Sequence, residues 1–459
     1  MTRRVGRLAV VLPVLAVLLA GCNGSTLARP QDPVVLTGSN VPTLNGIAPN
    51  LLVAFRYTDG AWVQIPVQVD ERANVSFGQI YNNQGGYTYT GTILVYTDAN
   101  TWTGADSNAN IDSDDEIVFM VKDAGGAAPA QAEPAGVVPD SGVQVRVTDP
   151  LSSGVQGFVY LFRQSGGLDP SAGANYVTYN FNLLSGNYKA TYKLTDGPNP
   201  ENTTVTSSKY AVHFGDRWLS DELKVTNGSS SGVDILDRRK ALLQPGNCGR
   251  SENTFNDAEG AFITNKDGPV RAIRSYLGAN SGPYTQRTHV FYERREDVIT
   301  DLRVHARIPG VVDFFDYSPA ASGMSYSNSL NTSGVTIDGN PIPDNVTEGL
   351  TIWERVAGDQ GGLAIAHQLQ TTLPLTPTHY YLDDSTPPVT QCTGDAFAYG
   401  QSGPYIDETL PNTDPNLGSA ATLKATRTLY YEAPSLTSAQ AATRYSQATN
   451  PMTKTVTSW

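Results

Sequence analysis

The stretch DLRVHARI, residues 301–308, alternates without a slip: Leu302, Val304, Ala306 and Ile308 fall on one side, and Asp301, Arg303, His305 and Arg307 on the other. On an extended strand same-face residues sit about 6.6–6.8 Å apart, so Arg303, His305 and Arg307 would form a basic and imidazole row. Upstream, RAIRSY and THVFYERR add Arg271, Arg274, Tyr276, His289, Tyr292 and Arg294. Consecutive strands are usually neighbours, which would gather these groups on one sheet face. Arginine clamps a carboxylate through two N–H groups, and tyrosine offers an apolar plane with a polar tip. Elimination from a uronic acid needs a cation on the carboxylate, a base for the adjacent proton and an acid for the leaving oxygen. His305, Tyr292, Arg303 and Arg274 are expected to do that chemistry, with Arg271, Tyr276, His289 and Arg307 holding the ligand. The plainer reading is a wet antiparallel face on which Glu293, Glu296, Asp297 and Asp301 pair with the arginines.

A second candidate is DSNANIDSDDE, Asp106–Glu116. Hard cations take six to eight oxygen ligands, and Asp106, Asn108, Asp112, Asp115 and Glu116 offer them in an order resembling the calcium loops of dockerins and EF-hands. The loop departs from that pattern: no glycine follows Asn110, and Ile111 comes early for a twelve-residue spacing. Calcium is therefore the expected cofactor, with a solvated acidic loop as the alternative. Asp313, Asp316 and Glu354 could supply a carboxylate pair for glycoside hydrolysis. His213 and His367 sit in apolar runs and read as satisfied core histidines; His379, in PTHYY, reads as loop. No G-x-S-x-G, phosphate loop, dinucleotide fingerprint or H-E-x-x-H occurs, which sets aside several large enzyme classes.

The chain opens MTRRVGRLAVVLPVLAVLLAGCNG, three arginines ahead of an apolar run that closes on small residues. This is the layout of an export signal, and the run is short and early for a permanent span. LAGC, Leu19–Cys22, resembles the bacterial lipobox, which implies cleavage before Cys22 and a lipid on its sulfur. The formal net charge of −13 becomes more negative once Arg3, Arg4 and Arg7 are removed. So acidic a body lacks the basic footprint that nucleic acid requires. Membrane contact is expected through the lipid alone, at the cell surface or in the periplasm. Cys248 and Cys392, each in a glycine-flanked loop, are expected to pair in that oxidising setting. Neither has ligands at zinc spacing.

What must position these groups is read from the rest of the chain. It is rich in Gly, Pro, Tyr, Thr and Val and poor in amphipathic helix patterns, the signature of an all-β protein. Strands are expected in LLVAFRY, WVQIPVQVD, TILVYTD, VQVRVTD, GFVYLF, THVFYERR, DLRVHARI and TLYYEA, with one helix in SLTSAQAATRYSQA. The length exceeds what one core usually serves. The expected layout is a signal peptide over 1–21, a tether over 22–33, an amino-terminal β-sandwich over 34–165 and a larger antiparallel β-sandwich or supersandwich over 166–459.

WVQIPVQVDERA followed by DSDDEIVFMVKDAGG resembles the amino-terminal β module of uncharacterised exported bacterial and archaeal proteins. DGPVRAIRSYLG and THVFYERREDVITDLRVHARIPG resemble, more distantly, the supersandwich of galactose-mutarotase-like and polysaccharide-lyase carboxyl-terminal domains. The function expected is a surface-anchored lipoprotein whose second domain binds a polysaccharide and processes it in the manner of a uronate lyase, its 23 tyrosines available for stacking on sugars. The alternative is a non-enzymatic structural or adhesion lipoprotein.

Overall fold

A computed structural model describes residues 25–80, 91–130, 132–187, 189, 198–246, 248–258, 260–279, 284–304, 307–342, 344–347, 349–413 and 421–459. The signal segment, Cys22, His305 and Ala306 lie outside them. The protein is all-β, its strands gathered into antiparallel sheets. No helix among the described residues is long and apolar enough to cross a membrane.

Seven of the eight expected strands form, and the exceptions have local causes. WVQIPVQVD divides at Pro66, which cannot donate to a ladder. Ala61–Ile65 then joins a five-stranded sheet and Gln68–Asp70 a three-stranded one. DLRVHARI leaves the ladder after Asp301, where the strand Arg295–Asp301 ends. Its alternation still describes burial, since Leu302, Val304 and Ile308 are all core residues. Beyond Asp301 the backbone pairs elsewhere: Val304 N donates to Thr413 Oγ1, and Ile308 bridges Leu410. The helix begins three residues later than Ser435, at Ser438, because Thr437 caps it by accepting from Gln440 N.

The three- and five-stranded sheets enclose one apolar core, with Leu36, Ile117 and Phe119 facing Ala54, Val145 and Leu161. The five-stranded sheet pairs Val143–Thr148 with Gln156–Arg163, and its edge is the chain's last strand, Thr453–Ser458. The larger layer pair sets a nine-stranded sheet against two four-stranded sheets. Their shared core runs from Val205, Val212 and Leu223 through Phe315 and Tyr317 to Phe291, Ile365, Leu429 and Tyr431.

The nine-stranded sheet is covered on its second face as well. Ile273, Val290 and Tyr292 pack on Val118 and Met120 of the three-stranded sheet, while the helix Ser438–Thr449 covers Trp353, Ala364 and Tyr430. Every residue of Ala272–Leu277 and Gln286–Phe291 is accordingly buried.

A polar joint holds the three-stranded sheet to the nine-stranded one. Arg271 Nε meets Asp70 Oδ2 at 2.7 Å and its Nη2 meets Glu116 Oε2 at 2.6 Å. Gln68 accepts from the backbone N–H groups of Val270 and Arg271. The IPVQVDE and DEIVFM stretches lie side by side, Asp70 opposite Glu116, and together form this joint. Cys248 and Cys392 are disulfide-bonded with their Cα atoms 5.0 Å apart.

Candidate functional site

Among the described residues, the basic and ring-bearing groups expected from sequence do not share one hollow. Because the sheet is covered on both faces, strand alternation sends them to two different buried layers. Arg271 and Tyr292 face the first module, with the tyrosine hydroxyl 3.4 Å from Arg271 Nη1. Arg274, Tyr276 and His289 face the four-stranded sheets, each already engaged. Arg274 is fully buried, held by both oxygens of Glu201 at 2.7 and 2.8 Å and 4.3 Å from the Phe214 ring centre. His289 Nδ1 meets Glu296 at 2.8 Å and its Nε2 meets the Tyr276 hydroxyl at 3.0 Å. Glu296 in turn takes both arms of Arg239. Arg303 donates to the Tyr284 carbonyl, and Arg307 is exposed. The corrections at Arg271, Arg274 and His289 share a cause: a polar group sealed between layers must be partnered, and protein groups partner these three.

A cavity of about 510 Å³ does lie between the nine-stranded sheet and the four-stranded sheet that contains Val311–Tyr317. Trp218, Leu302, Leu369 and Ile406 supply apolar wall; Arg287, Asp313, His367 and Arg427 supply the charged part. Asp313 bridges two guanidiniums, Oδ2 to Arg287 Nη2 at 2.7 Å and Oδ1 to Arg427 Nη2 at 3.1 Å. Arg287 is braced by Thr300 Oγ1 at 2.9 Å and lies over the Trp218 ring. Arg427 lies over Phe315, and its Nε and Nη1 are buried with no hydrogen-bond partner among the described residues. One carboxylate between two guanidiniums leaves net positive charge and unused donors. Burial lowers the Arg427 pKa, against the opposing pull of Asp313.

Beside Arg427, His367 is its register partner on the neighbouring strand. Its Nε2 meets Glu354 Oε1 at 2.5 Å, while its Nδ1 is buried with no partner among the described residues. Glu354 is fully buried, which alone would raise its pKa, but His379 and His367 hold it at about 2. His379 is no loop residue: it lies on the strand Thr378–Asp384, bonded to Thr351 Oγ1 at 2.5 Å and the Tyr326 hydroxyl at 2.6 Å. Asp313 and Asp316 cannot act as a pair, since a spacing of three on one strand points them to opposite faces. Asp316 is buried against Lys240, and burial pushes its carboxyl up to about 7. Arg287 and Arg427 were not singled out from sequence. The signal was there in their strands, for Arg287 stands two before His289, hence on the same face.

The acidic loop is regrouped by the fold. Glu116 is taken by Arg271, Arg72 and Tyr96 and so turns away from any cation, while Asn108 donates to Asp112. Glu71, from the IPVQVDE stretch, enters instead: its carboxylate, Asp106 and Asp115 place ligand atoms within 4.8 Å of one another.

No protein-family model matches the chain, and no curated protein does. Among solved structures, a glycosyl hydrolase family 38 protein from Enterococcus faecalis is similar at a TM-score of 0.43 and 11% identity, over 95% of this chain and 48% of that one. An alpha-mannosidase from Enterococcus faecalis V583 gives 0.43 and 10%, over 95% and 47%. A putative aldose 1-epimerase from Escherichia coli K12 gives 0.26 and 10%, over 56% of this chain and 99% of that one. The chain thus spans about half the length of the two Enterococcus proteins. At such scores a functional reading has to stand on this chain's own side chains.

The buried histidine makes acid sensitivity testable. Burial drives the His289 pKa down to about 3 from 6.5, outweighing Glu296. A base depressed in the folded state stays neutral while the unfolded chain protonates, so stability is lost as pH falls from 6.5 towards 3. The Tm is expected to drop between about pH 7 and about pH 5, and His289→Gln to flatten that slope; an equal slope in the variant would assign the effect to other groups.

Proposed function

We propose that the protein is an exported lipoprotein, held at the membrane through Cys22, whose intersheet cavity binds a glycan bearing carboxylates, a uronate-containing polysaccharide. The observation that carries the ligand is Arg427, whose two unused donors belong to a guanidinium in the cavity wall. A guanidinium in apolar surroundings favours a planar carboxylate, and paired N–H bonds to it are stronger than neutral ones. Thr285 Oγ1, also in the wall, is buried with no partner among the described residues and suits a sugar hydroxyl.

Calorimetry with oligogalacturonate and with its carboxyl-reduced counterpart tests this. Wild-type protein is expected to bind the acid and not the neutral form. Arg427→Gln, which leaves Asp313 on Arg287, is expected to weaken binding by about 10- to 100-fold, the worth of a charged hydrogen bond. Absence of binding by the wild type, with a normal melt, would leave a non-enzymatic anchored scaffold.

We infer a second ligand, calcium, at Glu71, Asp106 and Asp115. Both carboxylate oxygens of Glu71 are shielded from solvent and lack a hydrogen-bond partner among the described residues, and burial, with Asp115 beside it, pushes this group up to about 7. A divalent cation would relieve that repulsion. Millimolar calcium is expected to raise the Tm of the wild type and not of Glu71→Gln; equal melts in chelator and calcium would remove the site.

A further inference from the structure

We propose that His367, oriented by Glu354, accepts a proton from the carbon that bears the bound uronate's carboxylate, so that the cavity cleaves its ligand by β-elimination. This rests on the uronate reading above.

Three features converge on it. First, His367 and Arg427 are direct cross-strand partners on one face, and such partners hold their Cβ atoms about 4.5–5.5 Å apart. A carboxylate on the free Nε and Nη1 of Arg427 therefore brings its neighbouring carbon beside the imidazole. Second, the 2.5 Å contact from Nε2 to Glu354 fixes which nitrogen carries the proton, leaving the lone pair on the unpartnered Nδ1. Third, Glu354 is itself clamped, its second oxygen 3.5 Å from His379 Nε2, and His379 is anchored by Thr351 and Tyr326. A buried carboxylate wedged between two imidazoles is costly scaffolding for a sheet that apolar side chains would have filled. Its purpose is explained if the outer imidazole must be held in one tautomer.

The step balances within the ligand and the side chain. The carbon–hydrogen bond beside the carboxylate breaks and its proton moves to Nδ1. The electron pair becomes the new carbon–carbon double bond, while negative charge on the carboxylate is met by Arg427 and Arg287. The bond to the glycosidic oxygen breaks, and that oxygen departs with its pair and takes the proton back from the imidazolium. The groups facing His367 are Glu354 on the adjacent strand, Arg427 opposite, Asp313 behind Arg427, and His379 beyond Glu354.

The test uses the full-length protein with polygalacturonate, following the absorbance of the unsaturated product beside calorimetric binding. Wild type is expected to form product. His367→Gln is expected to bind within about twofold and to lose at least about 100-fold in turnover, the usual worth of a general base. Glu354→Gln is expected to bind within about twofold and to lower kcat with KM unchanged, the mark of a group that acts only in the transition state; a purely structural role would weaken binding along with turnover. Binding without product in the wild type, or His367→Gln turning over as wild type does, overturns the inference and leaves the binding site standing. No binding at all by the wild type overturns both.

Discussion

The nine-stranded sheet is sealed on both faces, and that one constraint governs where charge can reside. A buried ionised group is tolerated when a counter-charge and hydrogen bonds replace its water, and removing one partner of such a pair typically costs about 3–5 kcal/mol. The sheet obeys this nearly throughout. Arg274 is closed by Glu201, Arg271 by Asp70 and Glu116, and Arg239 by Glu296, each through short, direct contacts. Arg271 also ties the three-stranded sheet to the nine-stranded one, so the same rule that governs buried charge sets how those sheets dock.

In the cavity wall the pairing is sparser. Asp313 serves two guanidiniums, and among the described residues Arg427 keeps two donors unused beside an imidazole with an unused acceptor. Donor and acceptor stand on adjacent strands at the same register, in a space lined largely by apolar side chains. Low polarity strengthens whatever electrostatic contact a ligand makes there.

Much of the architecture was legible in the sequence. Period-two alternation marked the strands, and the glycine-flanked loops of Cys248 and Cys392 marked the disulfide, whereas WVQIPVQVD, read as one strand, divides at Pro66. The site was less legible, for a physical reason. Alternation separates two faces but does not say what lies on either, so THVFYERR read as a half-wet strand when it is covered on both sides. The partners that silence Arg274 and Arg271 come from residues 201, 70 and 116, far along the chain. In DLRVHARI the buried positions Leu302, Val304 and Ile308 follow the pattern, yet Thr413 and Leu410 replace the expected ladder. Glu354 and Asp313 were visible as carboxylates, but only their neighbours His367 and Arg427 give them roles.

The central claim is that Arg427 holds a ligand carboxylate within the intersheet cavity. A crystal structure of the protein with a short oligogalacturonate tests it most directly. The account predicts a uronate carboxylate within hydrogen-bond distance of Arg427 Nε and Nη1, with Asp313 retained by Arg287. A sugar bound only on the exterior, or Arg427 found saturated by the protein's own oxygen atoms, would contradict it.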